Sequence, residues 1–341
     1  MIHKVAVVGA GIIGMTNAIG LLQENKNEII YDVTIISKEG PLDTNSDQAV
    51  ATWFPPNDDK PLLQKYCLES LEKFNELIKN KTPGVDKIQQ TLFFENKKHF
   101  ENSVWSKATT RELVQLIEIP QTESETQDSL PAVRVTIPLI NPTFYRPHML
   151  EHFKALGGKL EHEEITSLSN LTKSYPIVIN STGWEAKYLT SDDSVYPVRG
   201  QTETFDTPLK LNKGSINVEH LTMYVVYRPA KVGNGDCVVG TTYQEHDANR
   251  EVRTSDKQDI ISRVSTFFPT VKNMTTVSKV GIRCGRPEVR VEEERVGESM
   301  IVHCYGHGGS GYSASWGSAN KVLEYCNRFV NEKTQQIRPK I

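Results

Sequence analysis

The sequence predicts an α/β protein in which a Rossmann-type domain, built on a parallel sheet, is interleaved with a mostly antiparallel β domain. Three observations carry that prediction. A β-branched apolar run near the amino terminus leads straight into a glycine-rich turn and then an apolar helical repeat. A second glycine-rich turn follows another apolar run near the carboxyl terminus, and the stretch between the two turns to alternating, β-type patterning. The expected boundaries are 1–55, 141–200 and 293–341 for the first domain, and 56–140 and 201–292 for the second.

Taken in order, residues 4–8 (Lys4-Val5-Ala6-Val7-Val8) are continuously apolar after the lysine, as in a strand covered on both faces. Gly9-Ala10-Gly11-Ile12-Ile13-Gly14 follows at once, and Ile12, Met15, Ile19 and Leu22 then recur at helical spacing. Residues 32–37 make a second strand. In that context GxGxxG reads as a dinucleotide turn: Gly9 permits the tight bend, Gly11 lets backbone approach a pyrophosphate, and Gly14 lets helix and strand pack closely. The helix start adds free N–H groups and about half a positive charge. This unit does not separate NAD from FAD. The acidic residue expected near the end of the second strand is best matched by Glu39, with Ser37 and Lys38 standing just before it. Thr44, Asn45 and Ser46 open a loop of small polar residues able to offer hydroxyl and N–H groups to phosphates before the chain runs on to Pro55 and Pro56.

Residues 62–78 form an amphipathic helix with Leu63, Cys67, Leu71, Phe74 and Ile78 on one face. The Thr-, Glu-, Ser- and Gln-rich stretch 120–131 is an exposed loop, and 142–156 returns to helix. Residues 175–180 are a buried strand ending in the turn Ser181-Thr182-Gly183-Trp184, suited to lie beside the first strand. Runs 222–227, 237–243, 276–283 and 288–292 alternate as antiparallel strands do.

Several classes are excluded. With 39 Lys+Arg against 42 Asp+Glu the net charge is −3, and no basic run suggests a nucleic-acid or membrane surface. Five widely spaced cysteines without a CxxC pair read as reduced thiols, not as a disulfide framework or zinc ribbon. The uncharged stretch 5–23 is broken by Gly9, Gly11, Gly14 and Gly20, which argues against a membrane span or signal segment. His148, Glu151 and His152 match H-x-x-E-H on one helix face, but no third ligand follows, so a solvated face is expected and no metal. No secretory signal is read, and the terminus Arg338-Pro339-Lys340-Ile341 is not a Ser-Lys-Leu address, so an intracellular location, peroxisomal or cytoplasmic, is expected.

Residues 299–317 are the most informative stretch: an apolar strand, a turn holding Gly308, Gly309 and Gly311, then a helix from about 312 to 329 beginning with Tyr312 and Ser313. The glycines remove side chains where a flat ring would press on backbone, and the helix start directs partial positive charge at that ring.

The motifs Val8-Gly9-Ala10-Gly11-Ile12-Ile13-Gly14, Asn180-Ser181-Thr182-Gly183-Trp184, Pro197-Val198-Arg199-Gly200-Gln201, Gly281-Ile282-Arg283-Cys284-Gly285-Arg286-Pro287-Glu288-Val289-Arg290, residues 47–55 and residues 303–316 together resemble the D-amino-acid oxidase and D-aspartate oxidase flavoenzymes over nearly the whole chain. The resemblance implies noncovalent FAD, held by residues 9–14, Ser37, Lys38, Thr44, Asn45, Ser46, Gly183, Gly308, Gly309, Gly311, Tyr312 and Ser313. It implies Arg290 as the grip on the substrate carboxylate, since that task suits a permanently charged, bidentate guanidinium. Tyr224 or Tyr227 supports the carboxylate, and the Gly309 carbonyl accepts from the substrate amine. Tyr243 stands where acidic-substrate members carry an extra arginine, so neutral D-amino acids are expected ahead of D-aspartate and D-glutamate. The implied reaction yields a 2-oxo acid, ammonia and hydrogen peroxide, with no obligatory side-chain base. Partners are a small D-amino acid and oxygen, with self-association left open. A nicotinamide-dependent dehydrogenase and a silent nucleotide-binding module are the alternatives from other classes.

Overall fold

The computed structural model describes residues 2–26, 28, 30–56, 60–119, 131–205, 215–229 and 235–337. Strands are numbered along the chain as β1 (His3–Val8), β2 (Tyr31–Ser37), β3 (Val85–Phe93), β4 (Gln115–Ile119), β5 (Ala132–Ile140), β6 (Lys159–His162), β7 (Ile177–Asn180) and β8 (Tyr196–Phe205). They continue as β9 (Ser215–Val218), β10 (Met223–Arg228), β11 (Asp236–Gly240), β12 (Gln244–Glu245), β13 (Val277–Gly285), β14 (Arg290–Val296) and β15 (Ser299–Tyr305). The longer helices are α1 (Ile12–Gln23), α2 (Pro61–Lys79), α3 (Pro142–Ala155), α4 (Thr254–Ser265) and α5 (Gly311–Ile337).

One sheet has six strands in the order β14-β15-β7-β1-β2-β6. All its pairings are parallel except β14 with β15. Its central strands are apolar throughout because both faces are covered: Val5 and Val7 enter one core cluster while Ala6 and Val8 enter another. The second sheet has nine strands, running β12-β8-β11-β10-β9-β3-β5-β4 with β13 paired to β8. It is antiparallel apart from β3 with β9. The chain enters the parallel sheet three times, so the interleaving follows from crossovers between the two sheets.

Two boundaries differ from the sequence expectation. All of β8 from Tyr196 belongs to the second sheet, and β14 joins the first sheet at Arg290, not at 293. The helix near the carboxyl terminus also runs further than expected, to Ile337. The stretch 120–130 and the last four residues lie outside the described residues. No described helix is long and apolar enough to cross a membrane.

Helix α1 packs between the parallel sheet and α5, burying Met15, Ile19 and Leu22 as the spacing requires. Helix α2 buries Leu63, Cys67, Leu71 and Phe74 and leaves Ile78 half-buried. It meets α5 so closely that a Cβ on Gly317 would stand 2.3 Å from the Tyr66 carbonyl oxygen. The gap is closed by a 2.8 Å hydrogen bond from the Gly317 N–H to Ser70 Oγ. In the second sheet, buried Arg199 on β8 pairs with Asp256 of α4, and its guanidinium also donates to the Asn249 and Glu251 carbonyls. A buried charge is tolerated there because it is both paired and hydrogen-bonded.

Candidate active site

The two sheets face each other across a cavity of roughly 500 Å³. One wall is made by the carboxyl ends of β1, β2, β7 and β15 and the turns that follow, the place where open parallel sheets bind ligands. The opposite wall is the face of the nine-stranded sheet.

The first turn is built for close approach. Gly9 sits at φ +103°, where an L side chain is strained, and a Cβ there would lie 2.5 Å from the Ser181 carbonyl oxygen. Gly14 does not line the cavity, and its Cβ would lie 1.9 Å from the Gly9 carbonyl oxygen, so its bareness serves packing behind the turn. Helix α1 begins after Gly11 with no side-chain cap from that residue, and Ile12 and Ile13 of its first turn line the cavity. Ser46 Oγ accepts from the Ile12 N–H at 2.9 Å, and the Thr44 N–H and hydroxyl both donate to Asp47. Beneath them lies Arg146 of α3, fully buried, donating to the Ala10 and Pro41 carbonyls at 2.6 Å each and 3.4 Å from Asp47. One guanidinium thus braces the glycine turn and the polar loop together. Nothing in the sequence marked Arg146, because an arginine beside Pro147 in a helix reads as exposed.

The second turn meets the first. The Tyr312 hydroxyl donates to the Ser46 carbonyl at 3.0 Å, and Ser313 Oγ accepts from the Phe54 N–H at 2.9 Å. A Cβ on Gly311 would touch Ile12 at 3.8 Å. Of the residues the sequence proposed for the cofactor, Gly9, Ala10, Gly11, Ile12, Ile13, Ser37, Lys38, Thr44, Asn45, Ser46, Gly183, Gly308, Gly309, Gly311, Tyr312 and Ser313 all line this one cavity.

At the far end, beyond β2 and β7, charges are matched in pairs. Lys38 lies 2.8 Å from Glu185 and 3.6 Å from Glu164, and Arg250 lies 3.7 Å from Glu39. Trp184 also lines the cavity, and its indole N–H has no partner among the described residues. Two bare glycine turns, the start of α1 and the small polar loop at 44–46 form a cradle of the shape and polarity a dinucleotide requires.

The other end is dominated by Arg283 of β13, which the sequence reading quoted in a motif but gave no role. Its Nη2 donates to Thr241 Oγ1 at 3.0 Å and its Nη1 to the Thr242 carbonyl at 3.2 Å. Its guanidinium stands 5.6 Å from the centre of the Tyr243 ring. A Cβ on Gly200 would fall 2.2 Å from Arg283 Nη1, so that glycine makes room for the fork. Gly309 lies close by, its notional Cβ 3.8 Å from Arg283 Cδ. No described carboxylate pairs with Arg283, and burial pulls its pKa below the usual arginine value. The missed signal is the alternation Gly281, Arg283, Gly285: an arginine flanked on its own strand face by bare positions.

Arg290 is a correction. It is absent from the cavity wall. It sits on β14, the edge of the parallel sheet, opposite Tyr305, and its guanidinium donates to the Tyr305 hydroxyl and to Glu292, each at 2.6 Å, with Asp192 3.9 Å away. Those partners consume its charge. The two tyrosine alternatives are separated by strand parity. Tyr224 lines the cavity with Val226, and burial raises its pKa, opposed by nearby Arg283 and by a hydrogen bond with Thr241. Tyr227 pairs with Cys237, a residue of the core on the opposite sheet face, and does not line the cavity. Tyr243 does line it.

His307 is buried in the second turn, 2.9 Å from Ser318 Oγ, and burial drives its pKa down to about 3, so its ring is neutral. Cys284 and Cys304 line the cavity as protonated thiols, each pushed up to about 12 by burial. His148 and His152 stack 6.3 Å apart on α3, with His152 Nε2 3.3 Å from the Gln23 side-chain amide, and no metal-ligating cluster occurs among the described residues.

Residues 4–324 match the model of the FAD dependent oxidoreductase family that includes D-amino-acid oxidase. The chain belongs to this family. FAD is its cofactor, and the cradle just described fits it. Among curated relatives, D-amino-acid oxidase of Dictyostelium discoideum is 29% identical, covering 94% of this chain and 91% of that protein. Human D-aspartate oxidase is also 29% identical, covering 99% of this chain and 97% of the relative. Among solved structures, glycine oxidase from Geobacillus kaustophilus superposes with a TM-score of 0.76 at 17% identity, covering 96% of this chain and 95% of that one. That likeness shows the fold alone.

Proposed function

We propose that this flavoenzyme oxidises neutral D-amino acids to 2-oxo acids, releasing ammonia and hydrogen peroxide. The observation that carries the reading is Arg283, a half-buried guanidinium without a carboxylate partner among the described residues, lining the same cavity as both glycine turns. A charge held there by neutral acceptors is left without a counter-ion, which an arriving carboxylate supplies through a bidentate contact. The Tyr224 hydroxyl is the second donor to that carboxylate, and the Gly309 carbonyl, beside Arg283, accepts from the amine. With acid and amine both held, the Cα–H would be the bond left to face the FAD that the two turns would hold. Bound FAD supplies the two-electron acceptor, and oxygen then takes the electrons to give peroxide.

The reaction balances as D-amino acid plus oxygen plus water giving 2-oxo acid, ammonia and hydrogen peroxide. No side-chain base is required if the amine is neutral when the Cα–H bond breaks. The cavity agrees with that, since His307 is a neutral ring bonded to Ser318 and the lining glutamates lie at the nucleotide end. Preference for neutral substrates rests on charge. The lining cations other than Arg283 are Lys38 and Arg250, and both face glutamates at the far end. A second substrate carboxylate would meet no further cation among the described residues.

Anaerobic mixing tests the reading. The yellow holoenzyme should bleach with D-alanine and not with L-alanine, and readmitted oxygen should restore the colour with peroxide formed. Bleaching by NADH alone, or by no amino acid at all, would refute it.

A further inference from the structure

The wall around Tyr224 carries a row of side chains that the reaction itself does not use. Asn217 of β9 pairs with Tyr224, Tyr224 with Gly240, and Gly240 with Thr202 of β8, so Asn217, Tyr224 and Thr202 stand on one sheet face. Gln90 arrives beside them from β3, its Nε2 3.4 Å from the Ile216 carbonyl. Gln90, Thr202 and Asn217 all line the cavity. Gln90 is only 1% exposed, yet its Oε1 has no hydrogen-bond partner. A buried acceptor left unpaired is costly, so a well-packed apolar side chain would be the better filler there unless a ligand completes the bond. No hydrogen bond joins the Asn217 amide to a described residue. The Gln90 oxygen, the Asn217 amide and the Thr202 hydroxyl make a surface that both donates and accepts.

We infer that Gln90 and Asn217 form the subsite for the substrate side chain and select D-amino acids with uncharged, hydrogen-bonding side chains, carboxamides foremost. The inference rests on the D-amino-acid oxidase reading above. A carboxamide returns a donor to Gln90 Oε1 and an acceptor to the Asn217 N–H₂. An apolar side chain of the same shape leaves both amides unpaired, and a carboxylate brings an acceptor where Gln90 already presents one. Sites built to hydrogen-bond a substrate reject the analogue that cannot, far more strongly than apolar pockets reject a missing methylene.

The test compares kcat/KM of the FAD-loaded enzyme for D-asparagine, D-leucine and D-aspartate, which are close in shape. D-Asparagine should lead each of the others by about 10-fold or more. In Asn217→Leu and in Gln90→Met the ratio of D-asparagine to D-leucine should fall about 10-fold or more. Because a ratio is read, partial loss of folded enzyme does not blur it. If D-leucine or D-aspartate matches D-asparagine while turnover is brisk, the inference is overturned and the oxidase reading stands. Unchanged ratios in both variants overturn the assignment to these two residues. If no D-amino acid of any side chain reduces the flavin, both readings fall together.

Discussion

Strands β13 and β14 follow one another in the chain, each carries an arginine, and the two side chains do opposite things. Arg283 belongs to the antiparallel sheet, opens onto the cavity, and bonds only to a hydroxyl and a carbonyl. Arg290 belongs to the parallel sheet and is saturated by Glu292, Tyr305 and the nearby Asp192. A guanidinium whose charge is already matched binds no further anion strongly, whereas one held in place by neutral acceptors is left wanting one. The residue type is the same, and the partners decide the role.

The largest expected effect breaks this pair apart. Arg283→Leu should lower kcat/KM for D-amino acids by about 10² to 10³-fold, because losing one side of a buried charged contact costs about 2–5 kcal/mol. The flavin should stay bound, since its cradle lies in other turns, and the visible spectrum checks that. Arg290→Leu should leave kcat/KM within a few-fold and lower the melting temperature instead. If the two variants exchanged phenotypes, the contrast would fail.

This is also where the sequence was least legible. The first glycine turn, the strand on either side of it and helix α1 could be read directly, because each level of pattern agrees: apolar run, GxGxxG, then 3.6-residue spacing. The carboxyl-terminal turn was legible for the same reason. Choosing between Arg283 and Arg290 required knowing which sheet each strand joins. That is a long-range fact, fixed by the pairings Arg283 with Val198 and Arg290 with Tyr305. Resemblance narrowed the choice to one motif and selected the arginine that the fold keeps out of the cavity. Arg146 was invisible for a different reason: its burial depends on two loops, around Ala10 and Pro41, that fold back over α3. Gln90 and Asn217 come from strands more than a hundred residues apart, so no local pattern links them.

A smaller effect sharpens the comparison within a single strand. Tyr224→Phe removes one donor to the substrate carboxylate, and a hydrogen bond to a charged group is worth about 1.5–3 kcal/mol. KM for D-alanine should rise by about 10-fold or more, with the flavin spectrum unchanged. Tyr227→Phe, three residues along and on the other sheet face, should change KM by less than about 2-fold. Equal effects would mean that strand parity does not govern access to the substrate, and Arg283 would lose its companion.

The smallest effect concerns what Arg290 does instead. Asp192 accepts from the Tyr305 hydroxyl at 2.8 Å and from Arg286 at 3.1 Å, so it joins the segment between β7 and β8 to β15 and to the loop between β13 and β14. Burial alone would raise its pKa, but the hydrogen bonds from Ser194, Tyr305 and Arg286 outweigh that and hold the carboxyl well below the usual range. A depressed folded-state pKa adds stability that is fully present above the unfolded value, near 3.9, and is lost as pH falls below it. Asp192→Asn should therefore cost about 1–3 kcal/mol of unfolding free energy at pH 7. The gap between wild type and variant should narrow as denaturation is repeated below about pH 4. Turnover at neutral pH should fall by no more than about 2-fold, because the cluster is spent on joining strands. A gap independent of pH would show that Asp192 acts by shape alone, and would remove the charge argument that separates Arg290 from Arg283.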